Sequence, residues 1–475
     1  AAILSLPAST MMESDRRMEA ENYLLSGYGI RCALVEVPKV VTQLRQLAHL
    51  WQPSRLKGIQ VGPDLGKPFL AATQVFDFRP IPRKWLALER TPDLQQRFVE
   101  HGAILVTRSG AVGRTIVAFG PHMDTLISDD LLRVKALQVG FRGWIYAYLR
   151  ATKTRAMMTR SKYGHVIKHL EPSHLDVLPI PIVTDVWKHK FNRVVNRILE
   201  LRDRAHTATN EAETIFERAL ASPKIETTGE LFFVTRSSRL CATRGLRLEA
   251  NRYYPHAELI RRHLSKSNRT VQSLKDCGFS VWVPGRYKRI PAENGVIFVD
   301  SSDLFGINPD MEKRFADCRF GDEHSGRAKS GWILMACSGQ TYGIVGEAVL
   351  APGPDKNKVY ANHIIRIAPL ETATARAGYV LAALTHPRLG RPLVKCLPFG
   401  SSVPEISPDD LRDFGIVRLS EHLENEIADL MEKAATLRAE ADDLENAISA
   451  DADAIIGRVI SGDLSDIADM AKQPK

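Results

Sequence analysis

The chain has 475 residues, 44% of them apolar, 25% charged and 7% aromatic, a composition of soluble globular proteins and a length that can bury two sizeable cores. No run of about eighteen uninterrupted apolar residues occurs, which excludes a membrane-spanning helix, and six dispersed cysteines (Cys32, Cys241, Cys277, Cys318, Cys337, Cys396) without a C-x-x-C pair argue against a zinc site or a disulfide framework. The net charge of +9 is uneven: residues 418–458 carry four bases and eleven acids, residues 461–475 carry two and three, and the remainder is therefore +17, which suits either a polyanion bound by the basic body or solubility alone.

Residues 1–9 are mildly apolar but lack a basic leader, so they do not read as a signal peptide, and a reducing cytoplasm is the expected compartment. Residues 104–108 and 115–119 are short apolar runs separated by Ser109-Gly110, and they read as strands around a tight turn. A further strand is predicted over 131–134 and a helix over 143–158. Pro172 stands at the first position of a short helix capped on the Glu171 side, and Pro179-Ile180-Pro181 is extended. From Trp187 the apolar positions Phe191, Val194, Ile198, Leu201, Ala205, Ala208, Ala212, Ile215 and Ala219 follow a 4-3-4-3 spacing up to a stop at Pro223. That spacing predicts a coiled-coil helix of ~35 residues, roughly 50 Å long. The second half repeats the order: strands over 333–337, 344–350 and 364–367, a helix over 378–394, a short helix at Pro408 after Ser407, and a heptad helix through Leu423, Ile427, Leu430, Ala434, Leu437, Ala441, Leu444 and Ile448 with a stop at Gly457.

The two halves are therefore read as an internal repeat of roughly 230 residues. Arg17-Met18-Glu19-Ala20-Glu21-Asn22-Tyr23 matches Arg247-Leu248-Glu249-Ala250-Asn251-Arg252-Tyr253. Gly102 to Leu105 with Ser109-Gly110 match Gly331 to Leu334 with Ser338-Gly339, Gly143-Trp144 matches Gly378-Tyr379, and Tyr163-Gly164 matches Phe399-Gly400. The two heptad helices are in register at an offset of 236 and are the simplest partners for each other. Antiparallel pairing would set the basic run Lys188, Lys190, Arg193, Arg197, Arg202 and Arg204 against the acids between Glu440 and Asp453, but it would also bring Glu211, Glu213 and Glu217 towards Glu421, Glu424 and Glu426. The sequence leaves the direction open.

This ordered, duplicated set resembles the specificity subunit of type I restriction-modification systems. The resemblance covers residues 3–460. It rests on the Arg-x-Glu-Ala-x-x-Tyr opening, the strand-Ser-Gly-x-x-Gly-strand element (Ser109 to Gly113, with Ser338 to Gly343 as its longer counterpart), the Gly-aromatic helix followed by an aromatic-Gly loop and Pro-x-x-Leu, and the heptad helix. Two departures, a Glu in 17–23 where Asp is commoner and residues inserted between Gly343 and Asn362, bar any inference about which bases are read. The resemblance implies an α+β fold with two mixed α/β target-recognition domains joined by two long helices pairing as a coiled coil. The expected boundaries are 1–182 for the first recognition domain, 183–222 for the central spacer, 223–417 for the second domain, 418–460 for the C-terminal spacer and 461–475 for a tail. It further implies a non-catalytic DNA-recognition subunit without a cofactor. Each domain would read half of a bipartite, asymmetric sequence in double-stranded DNA, and the helices would serve as a ruler. Two adenine methyltransferase subunits would dock on the coils, with a translocase-nuclease subunit beyond them. Two other expectations stay alongside it: a duplicated scaffold without DNA binding, and a specificity subunit of a related methylation-based phage-defence system.

The chain lacks the motifs of its own chemistry. Asn308-Pro309-Asp310 is not the (Asn/Asp)-Pro-Pro-aromatic element that holds a flipped adenine. Gly321 to Gly326 is followed by Arg327 rather than Lys-Ser/Thr, and no G-x-S-x-G elbow is present. His165, His169 and His174 lack the acidic and cysteine partners that would complete a metal set. Loops held by rigid strands are the expected readers of DNA. Arg108, Ser109 and Arg114 flank the first loop, and Ser338, Gln340 and Tyr342 lie in the second. Arginine pairs with guanine and glutamine with adenine in the major groove. Arg160, Lys162, His165 and Lys168 cluster around Gly164, matched by Lys395, Ser401 and Ser402 in the second half. Arg79, Arg83 and Lys84, and Arg286, Lys288 and Arg289, are further basic groups for which a solvated role weighs as much as DNA contact.

Overall fold

In the computed structural model the described residues are Tyr23, 26–160, 169–221, 232–241, 246–266, 269–286, 288–311, 313–317, 326–341, 343–351, 353, 357–400 and 402–468. The chain divides into two compact units, 1–203 with 440–475 and 204–439, and both divisions fall inside long helices.

Unit 1 runs through α1 (Ser26–Val35), β1 (Val41–Gln43), β2 (Ala48–Trp51), β3 (Gln60–Val61), β4 (Lys67–Leu70), β5 (Lys84–Leu86), β6 (Ile104–Thr107), β7 (Thr115–Val117), β8 (Leu126–Ile127), β9 (Leu131–Ala136), α2 (Arg142–Arg150), α3 (Thr152–Arg160), α4 (Pro172–Asp176), β10 (Pro179–Pro181) and the first part of α5 (Asp185–Ala219). The run Ile104-Leu105-Val106-Thr107, three of its four residues β-branched, is buried at every position because β6 is an inner strand of the antiparallel sheet β2-β9-β6-β7. Ile104 pairs with Val117 on one side and Val134 on the other. A second sheet, β3-β5-β4-β8, was not visible in the sequence, where its strands are two to four residues long and poorly alternating.

Unit 2 repeats the plan with the end of α5, α6 (Pro255–Leu264), β11 (Val271–Ser273), β12 (Phe279–Trp282), β13 (Pro291–Val299), β14 (Arg314–Phe315), β15 (Ile333–Ala336), β16 (Ala348–Leu350), β17 (Lys358–Tyr360), β18 (Ile364–Pro369), α7 (Ala377–Thr385), α8 (Arg391–Val394), α9 (Pro408–Arg412), β19 (Gly415–Val417) and the start of α10 (Glu421–Ser461). Its sheet order β12-β18-β15-β16 mirrors β2-β9-β6-β7, and β11-β19 mirrors β1-β10. The equivalence reaches single atoms. Arg133, 1% exposed, donates to the carbonyls of Ser128, Leu131 and Ile127. Arg366, also 1% exposed, donates to those of Ala361, Ile364, Tyr360 and Gly326. A guanidinium buried this deeply is tolerated because carbonyl dipoles replace its water.

Two of the expected helices are each broken in two. The 143–158 segment splits at Ala151, and Asp453 accepts the N–H groups of Thr152 and Lys153 at 2.8 Å each, capping α3. The 378–394 segment splits at His386 (ψ 122°), because Pro387 disfavours helical backbone before it. The second strand expected over 344–350 begins only at Ala348. Helix α10 passes the expected stop at Gly457 and ends at Ser461, followed by Gly462 at φ +86°.

Helices α5 and α10 pair antiparallel in each unit. In unit 1, Lys190 Nζ meets Asp451 at 2.8 Å, Arg197 meets Glu440 at 2.8 Å and Arg202 meets Asp442 at 3.0 Å. In unit 2, Arg438 donates to the Thr209 hydroxyl at 2.7 Å. The acid–acid conflict is relieved locally: Glu424 is taken up by Arg418 at 2.7 Å and Glu217 by Arg388. The buried stripe is wider than strict heptads. Val195, Leu199, Phe216 and Leu220 are buried while Val194 and Ile215 are only half-buried, since each part of a helix also packs on the globular body of the unit it lies in. That packing is close at one glycine per unit. A Cβ on Gly143 would lie 2.4 Å from Asn192 N, and one on Gly378 would lie 2.5 Å from Ala428 O.

Candidate nucleic-acid interface

In unit 1 the turn from β6 to β7 is a closed hairpin. Thr107 N donates to Arg114 O at 2.9 Å and Gly113 N to Thr107 O at 3.0 Å, with Gly110 and Gly113 at φ +71° and +82°. These conformations are glycine's ordinary use. The next segment is tied to this hairpin. Leu170 N donates to Arg108 O at 2.9 Å, the Ser109 hydroxyl lies 2.8 Å from His169 Nδ1, and Arg108 pairs with Glu171 at 2.6 Å. Unit 2 builds the same junction. Ile406 N donates to Cys337 O at 2.8 Å, Gly339 N to Pro404 O at 3.1 Å, and Ser338 bridges Glu405. In both units a Ser-Gly turn and a later loop are thereby held side by side.

The anticipated contact residues fall into three groups. Arg108 is engaged with Glu171, and Arg114 is half-buried with its guanidinium 4.3 Å from the centre of the Phe76 ring. Lys395 donates to the carbonyls of Gly343 and Val345 at 2.7 Å each, so its ammonium braces the second turn from within. Arg83, Lys84, Arg286, Lys288, Gln340 and Ser402 are exposed, Ser109 and Ser338 are half-buried, and Arg79 is half-buried. Arg289 is exposed yet donates to Asn362 at 2.9 Å and lies over Phe298. Lys162, His165, Lys168, Tyr342 and Ser401 lie outside the described residues, as does the Arg160 side chain.

Sequence reasoning missed Arg247, Phe399 and Val403. Phe399 and Val403 are 39% and 58% exposed on the loop beside the second turn. Only the match of Tyr163-Gly164 to Phe399-Gly400 could have flagged them.

Burial pushes the Cys337 thiol up to about 11 and raises those of Cys277 and Cys396, so these thiols stay protonated at neutral pH. Among the described residues no group of three His, Cys, Asp or Glu side chains could hold a metal. His169 and His174 are each used locally, the latter accepting from Glu171 N at 3.0 Å. Among the described residues no helix is long and apolar enough to cross a membrane.

No protein-family model matches the chain, and no curated protein matches it. Solved structures similar to it include the S subunit of a type I restriction-modification system from M. genitalium, with 13% identity over 88% of this chain and 94% of that one and a TM-score of 0.30. The HsdS subunit from Thermoanaerobacter tengcongensis has 13% identity over 89% and 97% with a TM-score of 0.25. A chain from a study of assembly and conformational transition of the type I R-M system has 14% identity over 89% and 98% with a TM-score of 0.26. The likeness is distant in both sequence and superposition.

Proposed function

We propose that the chain is a non-catalytic DNA-specificity subunit of the type I restriction-modification kind. The observation that carries the reading is the repeated junction, a Ser-Gly turn clamped to a later loop on the same sheet scaffold in each unit, on a body of charge +17. A rigid scaffold presenting paired loops is what direct readout of base edges requires, while surrounding cations bind phosphate. The recognition domains are 1–182 and 223–417, the spacers 183–222 and 418–460. The two turns differ in sequence, Ser109-Gly110-Ala111-Val112-Gly113 in one and Ser338-Gly339-Gln340-Thr341-Tyr342-Gly343 in the other, which suits two unlike half-sites.

In this reading the paired helices set the gap between half-sites, as two readers on one face of B-DNA must be about 34–36 Å or a multiple apart. The chemistry belongs to partners: adenine methyltransferase subunits directed to the target, with a translocase-nuclease subunit where restriction accompanies modification. The chain works inside the cell, where DNA is. Methylome sequencing of cells with and without this chain tests the proposal. A two-part adenine-methylated motif that disappears with the chain is the expected result, and an unchanged methylome refutes it.

A further inference from the structure

The Arg-x-Glu-Ala-x-x-Tyr segment opens both halves of the sequence, and the proposed function gives it no task. In unit 2 its first residue is a clamp. The Arg247 guanidinium, only 10% exposed, pairs with Asp410 at 2.9 Å and donates to the carbonyls of Leu397 and Pro398 at 3.0 and 2.9 Å. Its Cζ lies 4.7 Å from the centre of the Phe399 ring. The last residue of the motif returns the hold, since the Tyr253 hydroxyl donates to Arg247 O. What is held is the loop between Phe399 and Glu405, of which 399–400 and 402–405 are described. Its ends exchange backbone bonds, Phe399 N to Glu405 O at 2.9 Å and Glu405 N to Phe399 O at 2.8 Å, around Gly400 at φ +109°. The loop is fixed on three sides, by Arg247, by its own closure and by Gly339 of the neighbouring turn, yet it turns two apolar side chains, Phe399 and Val403, outward.

A loop held in this way gains no stability from turning Phe399 and Val403 towards solvent. We propose that this loop is the base-reading element of unit 2, that Phe399 and Val403 read thymine methyl groups or wedge against a base step, and that Arg247 is the positioning residue that sets the loop. The inference rests on the DNA-specificity reading. Apolar contact is how a protein distinguishes thymine from cytosine at the pyrimidine C5 position, and apolar wedges are how it reads step deformability. Arg247 sits behind the loop and needs no contact with DNA.

The test is selection of binding sequences from random duplexes by the full chain, wild type and variants, at fixed salt. Wild type is expected to enrich two half-sites. The surface variant Phe399→Ser with Val403→Ser is expected to lose at least tenfold discrimination at one half-site and keep the other. Arg247→Gln is expected to blur the same half-site and no other; Arg247→Lys, which keeps a cation for Asp410, is expected to restore part of it, which a general loss of folding would not reproduce. Replacing thymine by deoxyuridine in that half-site should weaken wild-type binding several-fold and leave the double variant indifferent; indifference of wild type as well favours the base-step wedge, provided the double variant still loses discrimination. If wild type enriches two half-sites and the double variant enriches the same two equally well, the inference is wrong and the DNA-specificity reading stands. If wild type enriches nothing, the DNA-specificity reading itself fails.

Discussion

Replacing Glu445 by alanine probes a charge buried in unit 1 where the two long helices meet α2. The Glu445 carboxylate is fully buried and Arg202 beside it is 2% exposed, with 2.9 Å between them. Tyr146 donates to the same carboxylate at 2.6 Å, and Arg150 lies 3.5 Å away. Deleting one member of a buried ion pair costs about 3–5 kcal/mol, because the survivor is left charged without solvent. Arg202 would keep Asp442 at 3.0 Å, which places the electrostatic cost at the lower end, about 3 kcal/mol. The orphaned Tyr146 hydroxyl adds about 1 kcal/mol. Glu445→Ala should therefore destabilise by about 4 kcal/mol. Glu445→Gln, which still accepts from Tyr146, should cost about 1–2 kcal/mol. The triple change Arg202→Met, Glu445→Leu and Tyr146→Phe should recover most of the loss, since an apolar core of similar volume dispenses with desolvation. Urea unfolding of the full chain followed by circular dichroism reads all three. An alanine variant within 1 kcal/mol of wild type would refute the reasoning.

Three further outcomes are expected. Gly143→Ala and Gly378→Ala force a Cβ to 2.4 Å from Asn192 N and 2.5 Å from Ala428 O, so each should lower stability by several kcal/mol, whereas Gly140→Ala meets nothing within 4 Å and should be near neutral in the same urea assay. Burial pushes the Asp442 carboxyl up from 3.8 to about 6, so the folded chain holds this proton more tightly than the unfolded one, and the stability it contributes at low pH is lost as pH rises through 6. With its side chain 32% exposed, Asp442→Asn should gain on wild type by about 1–2 kcal/mol between pH 4 and pH 7, and a difference constant across that range would contradict the assignment. DNA affinity should fall steeply with salt, and alanine at Arg83, Lys84, Arg286 and Lys288 should each lower the slope of log affinity against log salt by about 1 if the residue meets a phosphate; unchanged slopes would place DNA elsewhere.

Much of the fold could be read from sequence where a single physical rule dominates. Ile104 to Thr107 is a strand because a short run rich in β-branched residues and free of charge suits an inner strand, and α5 and α10 are helices because the apolar spacing persists without proline. The breaks were less legible. Pro387 marked one in plain sight, but the one at Ala151 depends on Asp453, some 300 residues away in the chain. Glu445 was legible only as one acid of an acidic face; its burial follows from Tyr146 and Arg150 reaching it from α2, a tertiary fact with no local signature. The candidate interface was read through its cations, and several of these, Arg108, Arg114 and Lys395, are occupied inside the protein. Phe399 and Val403 carried no basic charge and so were passed over.

The offset of 236 that relates the two long helices turns Arg202 into Arg438 and Thr209 into Glu445, so the Arg202–Glu445 pair of unit 1 and the Arg438–Thr209 pair of unit 2 are the same contact written twice with different residues. The seam has a polarity. A first-half fragment meeting its own copy in this geometry would set Arg202 against Thr209 twice and find no carboxylate. A second-half fragment would set Arg438 against Glu445 twice but without Tyr146 or Arg150, whose places are taken by Leu381 and Thr385. In this geometry the two unlike halves together bring Arg202, Glu445, Tyr146 and Arg150 to one place, and two copies of either half would not.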